Sequence, residues 1–152
     1  MALPSVFEQS TVDTLINRIN QLTPASAPKW GKMNVGQMLA HSNVTYEYAL
    51  DERDDKPNFL VKMMLKNFVK NKVVSETPYT ESMPTGPAFV IKESKDFDKE
   101  KTRLINYINK VKSLGAAHYE SKESSSFGVL TAAEWNNMMY KHIDHHLKQF
   151  GV

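Results

Sequence analysis

Apolar residues recur at helical spacing in five stretches of the chain, and in none do they alternate as a half-buried strand would. Val12, Leu15, Ile16, Ile19 and Leu22 form the first stripe. Ser10 with Asp13 resembles a capping box and marks its expected start, and Thr23-Pro24-Ala25-Ser26-Ala27-Pro28 ends it. Met38, Leu39, Ser42, Tyr46 and Ala49 form the second, behind an N-cap at Asn34 with Gln37 in the capping-box position. It runs to about Leu50, where the charged stretch 51–56 closes it. Pro57 suits the first turn of a third helix over 57–71. Its apolar face is Phe59, Leu60, Met63, Met64, Phe68 and Val69, and Lys62, Lys66 and Lys70 form a basic stripe. Such faces usually serve the protein's own interior, so this one is expected in the core or at a dimer interface.

Pro78, Pro84 and Pro87 mark an irregular connection over the surface. Phe97, Leu104, Ile108 and Val111 then predict a helix over 97–114, capped by Ser94 or Asp96 and ended by Gly115. Residues 116–130 read as a Ser-rich loop, and Thr131 with Glu134 is a capping box opening the last helix. The expected class is all-α: a four-helix bundle with an accessory helix at 57–71.

A length of 152 residues predicts one domain, 1–152, with a real core. A net charge of +2, with no basic cluster interleaved with aromatics, argues against nucleic acid as a partner. The absence of cysteine excludes disulfides, Cys-ligated zinc and a cysteine nucleophile. The N-terminal residues lack a basic, then apolar, leader, and no apolar run is long enough to span a bilayer. The expectation is a cytoplasmic protein with no membrane partner.

The candidate chemistry lies at the C-terminal end. His142 and His146 are one turn apart, so they stack on one helix face. At about 100° per residue, Trp135, Met138, Met139 and Gln149 share that face with them. Tyr140, Asp144 and Leu147 fall on the far side and His145 on the flank. Histidines on an apolar stripe need partners for their ring nitrogens, and a metal ion is one such partner. A histidine that merely favours the helix dipole should point outward instead. An open metal site needs a third protein ligand. His41, two turns into the second helix, reaches the pair if that helix packs antiparallel to the last one. His118 reads as an exposed loop histidine.

His41 in Gln37-Met38-Leu39-Ala40-His41, followed by the terminal His142-x-x-His145-His146-x-x-Gln149, resembles the DinB-like (YfiT-type) superfamily. The ending His145-His146-Leu147-Lys148-Gln149-Phe150-Gly151 and the stretch Phe127-Gly128-Val129-Leu130-Thr131 resemble one uncharacterised bacterial branch of it. The resemblance runs from Trp30 to the end. It implies an up-down-down-up bundle with a long crossover, residues 51–96, between the middle helices. It also implies a divalent metal, zinc or nickel most often, on His41, His142 and His146. Many relatives carry Arg-Gly where this chain has Leu147-Lys148, and the helix at 57–71 looks like an addition to the crossover. Members are often homodimers.

Three neutral imidazoles would leave the ion its full charge, favouring a bound water of lowered pKa or a bound thiolate. The reaction would be hydrolysis of a small-molecule substrate, or transfer of a low-molecular-weight thiol cosubstrate to an electrophile. The superfamily includes thiol transferases and a thiol-dependent isomerase, which favours the second by analogy. Gln37 and Thr45, one turn either side of His41, and Tyr48 close by are candidates to hold an imidazole or simply to pack. Gln149 shares the ligand face, Glu134 is accounted for by capping, and Asp144 points away. The alternatives are a non-catalytic metal- or small-ligand-binding bundle, or an interaction module built on the helix at 57–71.

Overall fold

A computed structural model describes residues 2–152. The chain forms α1 (Gln9–Gln21), α2 (Val35–Ala49), α3 (Phe59–Met64), a π-helical turn (Leu65–Val69) and α4 (Lys70–Val74). A 3-10 turn (Pro87–Phe89), α5 (Phe97–Tyr119), strands β1 (Lys122–Ser124) and β2 (Gly128–Leu130), and α6 (Ala132–Gln149) follow. It is a helical bundle, as the periodicity predicts.

Long-range contacts fix the helix directions. Val6 and Arg18 bond Asn136 and Asp144 in that order, so α1 runs parallel to α6. Asn43 and Glu47 bond Glu100 and Arg103, so α2 runs parallel to α5. Thr45 meets His142 while Trp30, just before α2, meets Gln149, so α2 is antiparallel to α6. The order is therefore up-down-down-up, and α2 and α5 are joined by the long crossover.

The cap signals at 34, 96 and 131 are realised. Asn34 and Gln37, and Thr131 and Glu134, form complete capping boxes, and the Asp96 side chain accepts from Lys99 N–H. The first cap differs: Ser10 lies inside α1, and Glu8 occupies the N-cap without a side-chain bond. The physical cause is tertiary. Asn136 accepts from Val6 N–H at 2.7 Å and donates to the Pro4 carbonyl at 3.2 Å, which pins the leading strand of chain and starts the helix earlier. Gly115 takes the left-handed φ of 76° expected of a helix end, yet the chain re-enters a helical turn through Tyr119.

One expectation fails outright and another in part: the segment 116–130 is not simply a loop, and the apolar face of the accessory helix is not in this chain's core. The Ser-rich segment 116–130 holds an antiparallel hairpin, with Lys122 opposite Leu130 and Ser124 opposite Gly128. Strands of three residues are too short to show alternation. What holds them is the Trp135 indole donating to the Lys122 carbonyl, and the burial of Phe127 and Leu130. The accessory helix begins at an Asn58 N-cap, with Pro57 outside it, and its outward side is the apolar one: Phe59 is 78% and Phe68 75% exposed. Leu65, Val69 and Val73 pack against the core instead.

The core joins Val12, Leu15 and Ile19 of α1, Met38 and Leu39 of α2, Leu104 and Ile108 of α5, and Trp135, Met139 and Ile143 of α6. Leu147, placed on the far side of α6 by the helical wheel, is fully buried. That far side is covered by α1, as the Arg18–Asp144 ion pair at 2.8 Å shows. α6 is thus enclosed on both flanks, and its two histidines face α2.

Candidate metal centre

α2 carries His41 and α6 carries His142 and His146. Antiparallel packing brings the three together. Their ring centroids lie 4.8, 4.6 and 4.8 Å apart, close to an equilateral triangle. One nitrogen from each falls within 4.8 Å of the others, and this group could hold a metal ion. His41 and His146 are buried, and His142 is half-buried.

The partners behind the rings decide which nitrogens face the centre. His41 Nδ1 lies 2.8 Å from the Phe89 carbonyl, which can only accept, so Nδ1 is protonated and Nε2 carries the lone pair. Gln149 donates its amide to the Trp30 carbonyl at 2.8 Å, which fixes the orientation of the amide. Its Oε1 must then accept from His146 Nδ1 at 2.8 Å, leaving the His146 Nε2 lone pair turned inward. Among the described residues no protein group donates to that nitrogen. His142 Nδ1 meets Thr45 Oγ1 at 2.9 Å. A hydroxyl donates or accepts, so His142 can hold either tautomer. With Thr45 donating, His142 gives its Nε2–H to His41 Nε2 at 3.0 Å. With Thr45 accepting, all three Nε2 lone pairs converge.

This donor set fits a divalent ion. A tetrahedral site with metal–nitrogen bonds of about 2.0–2.1 Å sets its donor nitrogens about 3.3 Å apart, within the spread the three rings already occupy. A proton is the competing cation, and the environment opposes it. Burial lowers the pKa of His41, holds His142 well below the ordinary imidazole value, and takes His146 down to about 3. The neighbouring imidazoles depress His142 and His146 further. Neutral rings are the form that binds metal.

The crossover closes one side. The Phe89 ring stands edge-on to His41 and His142 at 5.6 and 5.7 Å. α6 holds the crossover in place: Asn137 donates to the Val74 carbonyl, and buried Lys141 donates to the carbonyls of Lys72 and Thr77 at 2.8 and 2.9 Å. Lys141 also sits 4.6 Å from the Tyr79 ring centroid, and burial lowers its pKa to about 8. Tyr79 and Trp30 pack edge-on against half-buried His145, whose ring is 5.1 Å from that of His146.

Of the sequence candidates, Thr45 and Gln149 touch the histidines and two others do not. Gln37 completes its capping box and donates to the Ile91 and Glu93 carbonyls at 3.4 Å, tethering the crossover. The Tyr48 hydroxyl donates to Asp55, because the 51–56 turn folds back over α2, and its ring meets Phe89 and the Arg53 guanidinium rather than a histidine. Glu134 serves its cap and pairs with Lys70. Asp144 faces Arg18 and Lys148, and His118 is exposed beside Tyr119. Sequence reasoning missed the Phe89 and Trp30 carbonyls. Backbone acceptors carry no residue signature, so no signal in the chain could have found them.

Fold and site together define a helical bundle with three convergent histidines between its second and last helices. A family model, "Protein of unknown function (DUF1569)", matches residues 5–151, and the chain belongs to that family. Neither the curated proteins nor the solved structures give a match.

Proposed function

We propose that the protein is a divalent-metal-dependent enzyme acting on a small molecule, with His41, His142 and His146 as the metal ligands. The observation that carries this reading is the inward turn of the Nε2 atoms, each ring held from behind by a protein oxygen. An all-imidazole set suits zinc or nickel. When bound, the ion supplies Lewis acidity toward a water molecule or a low-molecular-weight thiol.

The chain's own residues supply the rest. Neutral imidazoles add no negative charge, so they leave the ion's charge undiminished. Phe89, Thr45 and Gln149 orient the rings and raise their basicity as donors. The Phe89 ring shields the cluster from water on one side. With no cysteine in the chain, any thiol is a cosubstrate. The up-down-down-up order and the histidine spacing support membership of the DinB-like superfamily, and by that analogy thiol transfer is the first chemistry to screen, hydrolysis the second.

A second reading is a non-catalytic metal- or small-ligand-binding bundle. The observation favouring it is that the triad bridges α2 and α6, so an ion would pin two helices together. Metal analysis of untagged protein beside His142→Ala tests the shared premise. About one equivalent of metal in the parent and little in the variant is the expected result; no metal in either, and none taken up on adding zinc or nickel, refutes the site. The two readings then separate on turnover: the enzyme reading requires a thiol-transfer or hydrolysis substrate whose conversion His41→Ala abolishes.

A further inference from the structure

The helical part of the crossover is mounted with its more apolar side outward. Leu65, Val69 and Val73 face the core and Val74 is buried. Phe59, Leu60, Val61, Met63, Met64 and Phe68 stand in solvent, six of the nine exposed large hydrophobic side chains among the described residues. Single exposed apolar residues are ordinary, but such a concentration on one short element marks a contact surface.

The segment that carries this patch is itself basic, between the acidic Asp54, Asp55 and Glu76. Lys56, Lys62, Lys66, Lys70 and Lys72 lie in the stretch 56–75, which contains no Asp or Glu, although the whole chain carries only +2. Lys62 and Lys70 pair with Glu123 and Glu134 from the hairpin and α6. Among the described residues no carboxylate comes within ion-pair distance of Lys56, Lys66 or Lys72. Lys66 lies against Gly128, and its neighbour Val129 is 62% exposed, so the apolar surface continues onto the hairpin edge.

We propose that this face docks on an anionic lipid surface. Phe59, Leu60, Met63, Met64 and Phe68 enter the boundary between headgroups and acyl chains, and the lysines meet the anionic headgroups. The contact is peripheral, since no helix among the described residues is long and apolar enough to cross a membrane. A second copy of the chain is the less suitable occupant. A two-fold contact would set this lysine-rich stretch against itself.

The test is co-sedimentation of the full chain with vesicles of phosphatidylcholine alone and of phosphatidylcholine mixed with phosphatidylglycerol. Binding is expected only to the mixed vesicles, falling as salt rises. Phe68→Ser and Lys66→Glu should each weaken it roughly tenfold, with metal content and melting temperature unchanged because both side chains lie in solvent. Absence of binding, or equal binding to both vesicle types, overturns the proposal. So does a concentration-dependent dimer that Phe68→Ser dissolves, which would give the face to a second copy. Neither result bears on the histidine site, whose failure would show in metal analysis alone.

Discussion

The α2–α6 seam and the α3–α4 segment break the ordinary rule of burial in opposite directions. At the seam, titratable imidazoles are buried among apolar neighbours; on the crossover, Phe59 and Phe68 are exposed among lysines. The seam violates the rule with most of the compensation built in: each Nδ1 has an oxygen partner, His41 and His142 share one Nε2 contact, and only the His146 Nε2 is left to an ion. The crossover violates it with no compensation among the described residues. A buried polar group without partners costs the fold directly, whereas an exposed apolar one costs the fold little. The seam therefore ties the proposed metal site to stability, whereas the crossover holds its apolar face in solvent.

Acid should separate the two regions most sharply. Burial and the neighbouring His41 push the His146 imidazole from its ordinary 6.5 down to about 3 in the folded chain. Between those values the unfolded state binds the proton that the folded state refuses, so stability is full above about 6.5 and is lost as pH falls. His41 and His142 shift the same way, so the three imidazoles add to the loss together. Denaturant titrations of chelator-treated protein at pH 7 and pH 5 should show the loss, and its absence would mean that the rings are not buried neutral.

Thr45→Val comes next. In the metal-binding tautomer His142 donates to the Thr45 hydroxyl, so valine should weaken metal affinity by about 10- to 100-fold, with Thr45→Ser restoring it. Competition against a chromophoric chelator reads this directly. An unchanged affinity in the valine variant would remove Thr45 from the site. Lys141→Met, which releases the crossover from α6, should cost about 1–2 kcal/mol through the two carbonyls it leaves unpaired. Urea denaturation measures that cost. The smallest effect belongs to the crossover surface: Phe68→Ser should change the unfolding free energy by no more than about 0.5 kcal/mol. A loss of several kcal/mol by the same measurement would show that the face is packed in solution and would dissolve the contrast.

Local rules were legible where a residue and its neighbours suffice. Asn34 with Gln37 and Thr131 with Glu134 start their helices because the bonds involved lie within one turn. Ser10 carried the same kind of signal and lost to Asn136, which is distant in sequence but adjacent in space. The hairpin at 122–130 escaped because its strands are held by Trp135 and by buried Phe127, not by a pattern of their own.

The sequence by itself determined the helical period and the pairing of His142 with His146 on one face, since spacing along a helix fixes which side chains share a side; it offered His41 as a third member only on the condition that α2 packs antiparallel to α6. Only the tertiary structure decided what each face meets. It put α1 over Leu147 and turned Phe59 and Phe68 outward. It also brought the Phe89 and Trp30 carbonyls behind His41 and Gln149, and so set the direction of the ring nitrogens. The physical reason is common to all of these. Periodicity constrains a side chain's direction from its own axis, whereas burial and hydrogen-bond partners belong to pairs of elements distant in the chain.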